Sequence, residues 1–392
     1  MVIEKFQNEN ITIEHPVTVD GQRMTNEELD RKYEEEEVRI VTEQARYPLP
    51  TINSLFKQGQ YKMHPDFQRR QVWTLIQKSR LIESFIMNVP IAPIFLYEID
   101  YSQYEVMDGL QRVTAISEFY DNKFSLTGLE VWSALNGKYY NDLPANIRKG
   151  IDRRYLSSII LLKETAKDKA SAEKMKRIVF ERINTGGTQL QAQESRNAYF
   201  KGGFLELCKD LSRDPYFCRI FDIPETEEEN GEFLRDNYMY SRMKDVEAVI
   251  RFFAMRNLDD FNMPLQSFLD LFTEQANKLP NVVLEQYGQL FRDTIKLAYD
   301  IFGVRAFGVW RKRGDEWIFF DKPNMFLYDA IMTVLSQKLC IRDNLVARNA
   351  NIEADIKALY QENEILREGR KGGKSNVLER INIFDEFFNR YE

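Results

Sequence analysis

The sequence changes rhythm at Gly202-Gly203. Upstream, short apolar runs of strand length alternate with helical stripes. Downstream the pattern is almost all helical, with Val246, Val249, Ile250 and Phe253 along one face and Leu284, Tyr287, Phe291, Ile295 and Ala298 along another. A chain of 392 residues has room for about two domains, and the change of period puts their boundary near residue 203. The expected class is α+β or α/β over residues 46–202, followed by an α-helical domain over 203–392. Residues 1–45 read as an acidic polar arm whose densest part, Asn26 to Glu37, is a solvated helix or mobile segment. Internal repeats and low-complexity tracts are absent, which excludes a solenoid.

Within the first domain, Ile52, Leu55 and Phe56 predict a short helix ended by Gly59, and Tyr61-Lys62-Met63 a strand. Leu75, Ile76, Leu81, Ile82, Phe85 and Ile86 fit a helical face that stops at Asn88-Val89-Pro90. Ile94 to Ile99 and Tyr104 to Met107, parted by a polar turn, predict a hairpin. Its second strand ends at Asp108-Gly109, and Val113, Ile116, Phe119 and Tyr120 then line a helix. A further strand is expected at Ser158 to Leu162, with helices near 172–182 and 190–199.

Two histidines, His15 and His64, exclude more chemistry than any motif supplies. His-metal nucleases, H-E-x-x-H proteases and most His-based triads lack their parts, so hydrolysis would rest on carboxylates, amides, arginines or a bound metal. The cysteines Cys208, Cys218 and Cys340 have no C-x-x-C spacing, so no zinc site or disulfide framework is expected. A net charge of -7 gives no global field drawing the chain onto nucleic acid, so phosphate contacts must come from local Lys/Arg clusters. With no signal-like or membrane-length apolar run, the expected location is the cytoplasm, without a membrane partner.

The strand-to-helix junction Asp108-Gly109-Leu110-Gln111-Arg112 is the strongest chemical signal. A helix start offers unpaired N–H groups to phosphate oxygens. Gly109 lets a ligand approach the backbone, Arg112 suits a forked phosphate contact, Gln111 a water, and Asp108 a water-bridged Mg2+. The same residues also read as a capping box, with Asp108 as N-cap and Gln111 three residues on. Both readings use one helical turn, and spacing alone does not separate them. Gln68 and Arg69 stand among aromatic anchors before a helix and suit a phosphate or base, or else a pinned surface loop. Asn184, Gly186 and Gly187 form a small turn able to close over a ligand or simply to join two helices. Downstream, Glu194, Arg196 and Asn197 fit either buried pairing or a site lining.

These segments occur in a fixed order. Gln68-Arg69 with Val72-Trp73, Leu81-Ile82-Glu83-Ser84, Val89 to Ile94, Asp108 to Arg112, Phe180 to Asn184 and Glu194 to Asn197 together resemble the N-terminal domain family of GmrSD-type restriction systems, in the ParB and sulfiredoxin-like superfamily. The resemblance implies a ParB-like domain that binds or hydrolyses nucleoside triphosphates, in defence against phage with modified DNA. The family's central motif is commonly Asp-Gly-Gln-Gln-Arg; here Leu110 replaces the first Gln and removes one amide. Relatives often add a C-terminal His-dependent nuclease, which a chain with no histidine after His64 cannot contain.

The expected function is therefore triphosphate binding with slow hydrolysis, as the sensing part of a restriction system whose separate effector cuts DNA. Its ligands would be a nucleotide and Mg2+. The rival is a non-enzymatic assembly module; a third reading, DNA nicking at the ParB-like site, has few groups to support it. Arg367 to Ser375 resembles a phosphate loop, but Gly369 and Gly373 enclose three residues where the motif needs four. A basic loop is expected instead, able with Arg380 to touch DNA or an acidic partner; Arg148, Lys149, Arg153 and Arg154 form a smaller basic group.

Overall fold

In the computed structural model the described residues are 5–13, 25–35, 41–62, 73–162, 175, 176, 178–180, 182, 183, 192–229, 232–367 and 373–391. The chain forms two compact units, one of Val17–Leu190 and one that joins Met1–Pro16 to Gln191–Glu392.

The first unit is built on a five-stranded mixed sheet. Its strands are β1 (Thr42–Pro48), β2 (Tyr61–Lys62), β3 (Ile94–Asp100), β4 (Gln103–Asp108) and β5 (Tyr155–Leu161), in the order β1-β5-β3-β4-β2. β3 and β4 form the expected antiparallel hairpin, while β3 lies parallel to β5. Alternation sends Ile94, Leu96, Val106, Leu156 and Ile160 to one face, where all are buried. Three helices cover that face: α2 (Leu49–Lys57) through Leu49 and Ile52, α3 (Leu75–Met87) through Ile82 and Phe85, and α4 (Leu110–Tyr120) through Val113, Ile116 and Phe119. The acidic α1 (Asn26–Glu35) precedes them in the chain and is exposed wherever its side chains are described. α3 starts at a true capping box, Thr74 with Gln77, and stops at left-handed Asn88. α5 (Ala145–Asp152) leads into β5, and Arg154 Nε donates to the Phe85 carbonyl at the end of α3. That member of the expected basic group therefore holds a helix end.

The second unit is mainly helical. α6 (Ala192–Tyr199), α7 (Gly203–Leu211), α8 (Lys244–Ala254), α9 (Asn281–Phe302), α10 (Met325–Gln337) and α11 (Lys374–Asn389) pack around an aromatic core. Phe253 stacks on Tyr287 with ring centroids 4.5 Å apart, and Phe204 meets both edge-on. A buried ion pair, Arg251 with Asp329, ties α8 to α10.

Two expectations need correction. The polar arm does not extend over residues 1–45: Glu9, Ile11 and Ile13 are buried in the helical unit, where Glu9 accepts from the Tyr287 hydroxyl at 2.8 Å, and Thr42 already belongs to β1. Charge density masks a segment in which Ile11 and Ile13 point inward. The chain beyond 203 is mainly helical, as expected, and adds an antiparallel ribbon of Val309–Arg313 (β6) and Glu316–Phe320 (β7), while Glu228–Glu229 pairs briefly with Glu232–Phe233. Arg380 is not part of an exposed basic loop: it is buried, donates from Nε to the Ile365 carbonyl, and lies 5.0 Å from the Phe326 ring.

Candidate functional site

β4 delivers Asp108 to the end of the sheet, and the chain turns at Gly109 into α4. Gly109 sits at φ 94, a left-handed conformation that glycine alone adopts freely. A Cβ there would meet Ile94 Cγ2 at 2.4 Å. The glycine is thus required by backbone shape and by close packing on β3, before any ligand is considered. The first intrahelical bond runs from Val113 N–H to the Gly109 carbonyl at 3.0 Å, so the N–H groups of residues 110–112 point out of the helix end.

The capping-box reading of this turn fails. Gly109 is the N-cap, and no side chain caps it. Asp108 Oδ2 instead accepts from Arg112 Nη2 at 2.7 Å, and Gln111 Oε1 accepts from the Trp73 N–H at 3.1 Å. Arg112 Nη1 donates to the carbonyls of Ala92 and, at 3.1 Å, Pro93. Arg112 is largely buried, its side chain 13% exposed, and it clamps the approach to β3 onto the start of α4. Asp108 is 37% exposed and keeps a second carboxylate oxygen outside this ion pair.

The opposite face of the sheet holds features that the motifs do not indicate. Phe95 and Met107 join Thr42, Ile159, Leu161, Val179, Arg182 and Ile183 around a cleft of about 290 Å³. It adjoins the turn: Met107 precedes Asp108 in β4, and Phe95 pairs with Asp108 across the ladder. Beside it, Lys176 Nζ meets Glu105 Oε2 at 2.7 Å with both side chains buried, and lies 5.4 Å from the Tyr97 ring centroid. Among the described residues Glu105 Oε1 has no hydrogen-bond partner. One signal is available in the sequence for this pair, since an acid inside the apolar run Tyr104-Glu105-Val106-Met107 demands a buried cation.

Other candidates belong to the helical unit or lie outside the described residues. Arg196 and Asn197 lie on α6 in the helical unit and are buried there. Arg196 Nε donates to Asp270 at 2.8 Å and Nη2 to Gln266 Oε1 at 2.9 Å, while Asn197 contacts Gln193 and Met243. This is the buried-pairing alternative. Gln68, Arg69, Asn184, Gly186 and Gly187 lie outside the described residues. Among the described residues no group of three His, Cys, Asp or Glu could hold a metal. The donors at the turn therefore fit Mg2+ only as a companion of bound phosphates, with Asp108 as its one protein carboxylate. Among the described residues no helix is long and apolar enough to cross a membrane.

Residues 52–201 match the family described as GmrSD restriction endonuclease, N-terminal domain. Neither a curated protein nor a solved structure matches the chain.

Proposed function

We propose, from a chain whose residues 52–201 match the GmrSD N-terminal domain family, that this protein is a component of a restriction system that binds a nucleoside triphosphate at the β4–α4 turn and hydrolyses it slowly. The observation that carries the reading is the juxtaposition of a helix start at Gly109 that no side chain caps with an apolar cleft reached through Met107 and Phe95. A phosphate chain suits the first and a base the second. The N–H groups of residues 110–112 receive phosphate oxygens, and Arg112, already fixed by Asp108, supplies positive charge beside them. Gln111 orients the attacking water through its side-chain amide. Mg2+ brought in with the phosphates would neutralise charge on them, with Asp108 as its protein anchor. Gln68, Arg69, Asn184, Gly186 and Gly187 complete the ligand shell in this proposal, and the protein works in the cytoplasm with a separate effector that cuts DNA. The ParB-like superfamily assignment belongs to the same proposal.

A second reading has its own support. Arg112 and Gln111 are both engaged by the protein's own backbone, at Ala92, Pro93 and Trp73, as in a purely structural clamp. Calorimetry with each of the four triphosphates, with and without Mg2+, decides between them. The nucleotide reading expects binding that weakens at least tenfold in Ile159→Trp, which fills the cleft, together with release of diphosphate by the wild type. Absence of binding by every triphosphate leaves the clamp and removes the nucleotide function.

A further inference from the structure

The β6–β7 ribbon combines exposure, charge and aromatic surface in a way its packing does not require. Its base is fixed. Phe307 and Val309 are buried in the core, the Gly308 carbonyl accepts from the Tyr360 hydroxyl at 3.1 Å, and a Cβ on Gly308 would meet Phe319 Cζ at 2.2 Å. From there exposure rises toward the tip, so that every residue from Arg311 to Glu316 is exposed. Among the described residues the ribbon pairs with no other strand.

Both faces carry cations. On one, Arg305 lies 4.1 Å from the Phe319 ring, Lys357 4.8 Å from Trp310 and Arg367 5.2 Å from Trp317. Lys312 stands opposite Trp317 in the ladder and shares that face. On the other, Arg311 and Arg313 flank Ile318 and Phe320, large apolar side chains that are 37% and 38% exposed. Against these cations the ribbon itself sets only Asp315 and Glu316. The protein as a whole is acidic, so this concentration of positive charge is local.

We propose that the β6–β7 ribbon is a duplex-DNA contact that enters the major groove, with Arg311, Lys312 and Arg313 on phosphates and Ile318 and Phe320 toward the base edges. A two-stranded ribbon fits a groove about 12 Å wide, and its apolar side chains can meet thymine methyl groups there. The phosphate contacts hold the ribbon in register, while the apolar face touches the bases. A single strand is the poorer match, because cations already lie over each of the ribbon's rings, Trp310, Trp317 and Phe319 and, through Arg311 at 5.8 Å, Phe320, leaving no bare ring face on which bases would stack. The proposal is independent of the nucleotide reading, which concerns the other unit.

Fluorescence anisotropy of the full chain with a labelled duplex and the matching single strand tests it. The duplex is expected to bind more tightly than the single strand. Combined Arg311→Glu, Lys312→Glu and Arg313→Glu should weaken duplex binding at least tenfold and reduce the slope of log affinity against log salt by about 2–3, near 0.9 for each phosphate that the variant no longer neutralises. Phe320→Ala should weaken binding while leaving that slope unchanged. Lys149→Glu with Arg153→Glu, exposed cations of the other unit, should do neither. All substituted cations are exposed, so unchanged melting temperatures show that the variants fold. Failure of the wild type to bind duplex, equal or tighter binding of the single strand, or unchanged affinity in the triple variant each overturns the proposal. So does an equal loss in the Lys149/Arg153 control.

Discussion

A methyl group on Gly109 would have to overcome both a left-handed backbone and Ile94 Cγ2 at 2.4 Å. Gly109→Ala is therefore expected to cost about 2–4 kcal/mol, read from urea denaturation. Ile94→Ala added to it should cost less than the sum of the two, because the second change removes the clash that the first creates. Arg112 belongs to the same joint. It holds Asp108 and two carbonyls from a largely buried position, so Arg112→Ala should lose about 1–3 kcal/mol whether or not a ligand binds. Nucleotide affinity of that variant is informative only once the folded fraction is known. An unchanged urea midpoint would show that the clamp carries no stability. The motif makes this turn visible in the sequence, but the partners of its side chains are not legible there. Asp108 to Gln111 has capping-box spacing, but Asp108 pairs with Arg112 four residues on, and the tertiary approach of Trp73 diverts Gln111.

Between elements, one local constraint is the buried Lys176–Glu105 pair on the sheet face away from α2, α3 and α4. Lys176→Met alone should destabilise by about 3–5 kcal/mol by leaving a buried carboxylate, whereas Lys176→Met with Glu105→Leu should be close to neutral. Equal losses in the two variants would contradict the assignment. α4 and α5 meet at another polar point, where the hydroxyls of Tyr120 and Tyr140 both donate to Asp152 Oδ1, at 2.9 and 2.8 Å. Burial first, and then the Asp152 hydrogen bond, push Tyr140 up to about 12 and raise Tyr120 as well. The folded state thus keeps protons that the unfolded chain releases near pH 10. This contribution is fully present below about pH 10 and is lost as pH rises toward 12. Phenolate absorbance should show Tyr140 titrating late in the wild type and earlier in Asp152→Ala. At this scale the sequence is most legible where period and punctuation agree, as in the β3–β4 hairpin and in α3, from Thr74 to Asn88. The β6–β7 ribbon escapes such a reading although Gly314-Asp315 separates two runs of alternating aromatic and charged residues, because the helical stripes around it dominate any longer window.

Across the molecule, the helical unit is assembled from both ends of the sequence, with Val17–Leu190 inserted between them. A boundary placed by the change of period locates where helices begin to dominate. Pattern alone cannot find Glu9, Ile11 and Ile13 in a core whose other members lie nearly two hundred residues or more away. Glu9→Ala, which takes the carboxylate from the Tyr287 hydroxyl, should therefore loosen the helical unit by about 1–3 kcal/mol. Hydrogen exchange should show faster opening of α8 and α9 with no change in β3, β4 and α4; equal loosening of all of them would argue against the division into units.

The separation between Glu9 and Tyr287 also acts in time. They are 278 residues apart, and at about 5–20 residues per second the ribosome needs roughly 15–55 s to supply the partner. Throughout that interval a nascent segment bearing Ile11 and Ile13 has no complete core to enter, while the inserted sheet, all of whose strands are made well before Tyr287, can close. Birth order thus makes Glu9, Ile11 and Ile13 wait long after their synthesis to find their places.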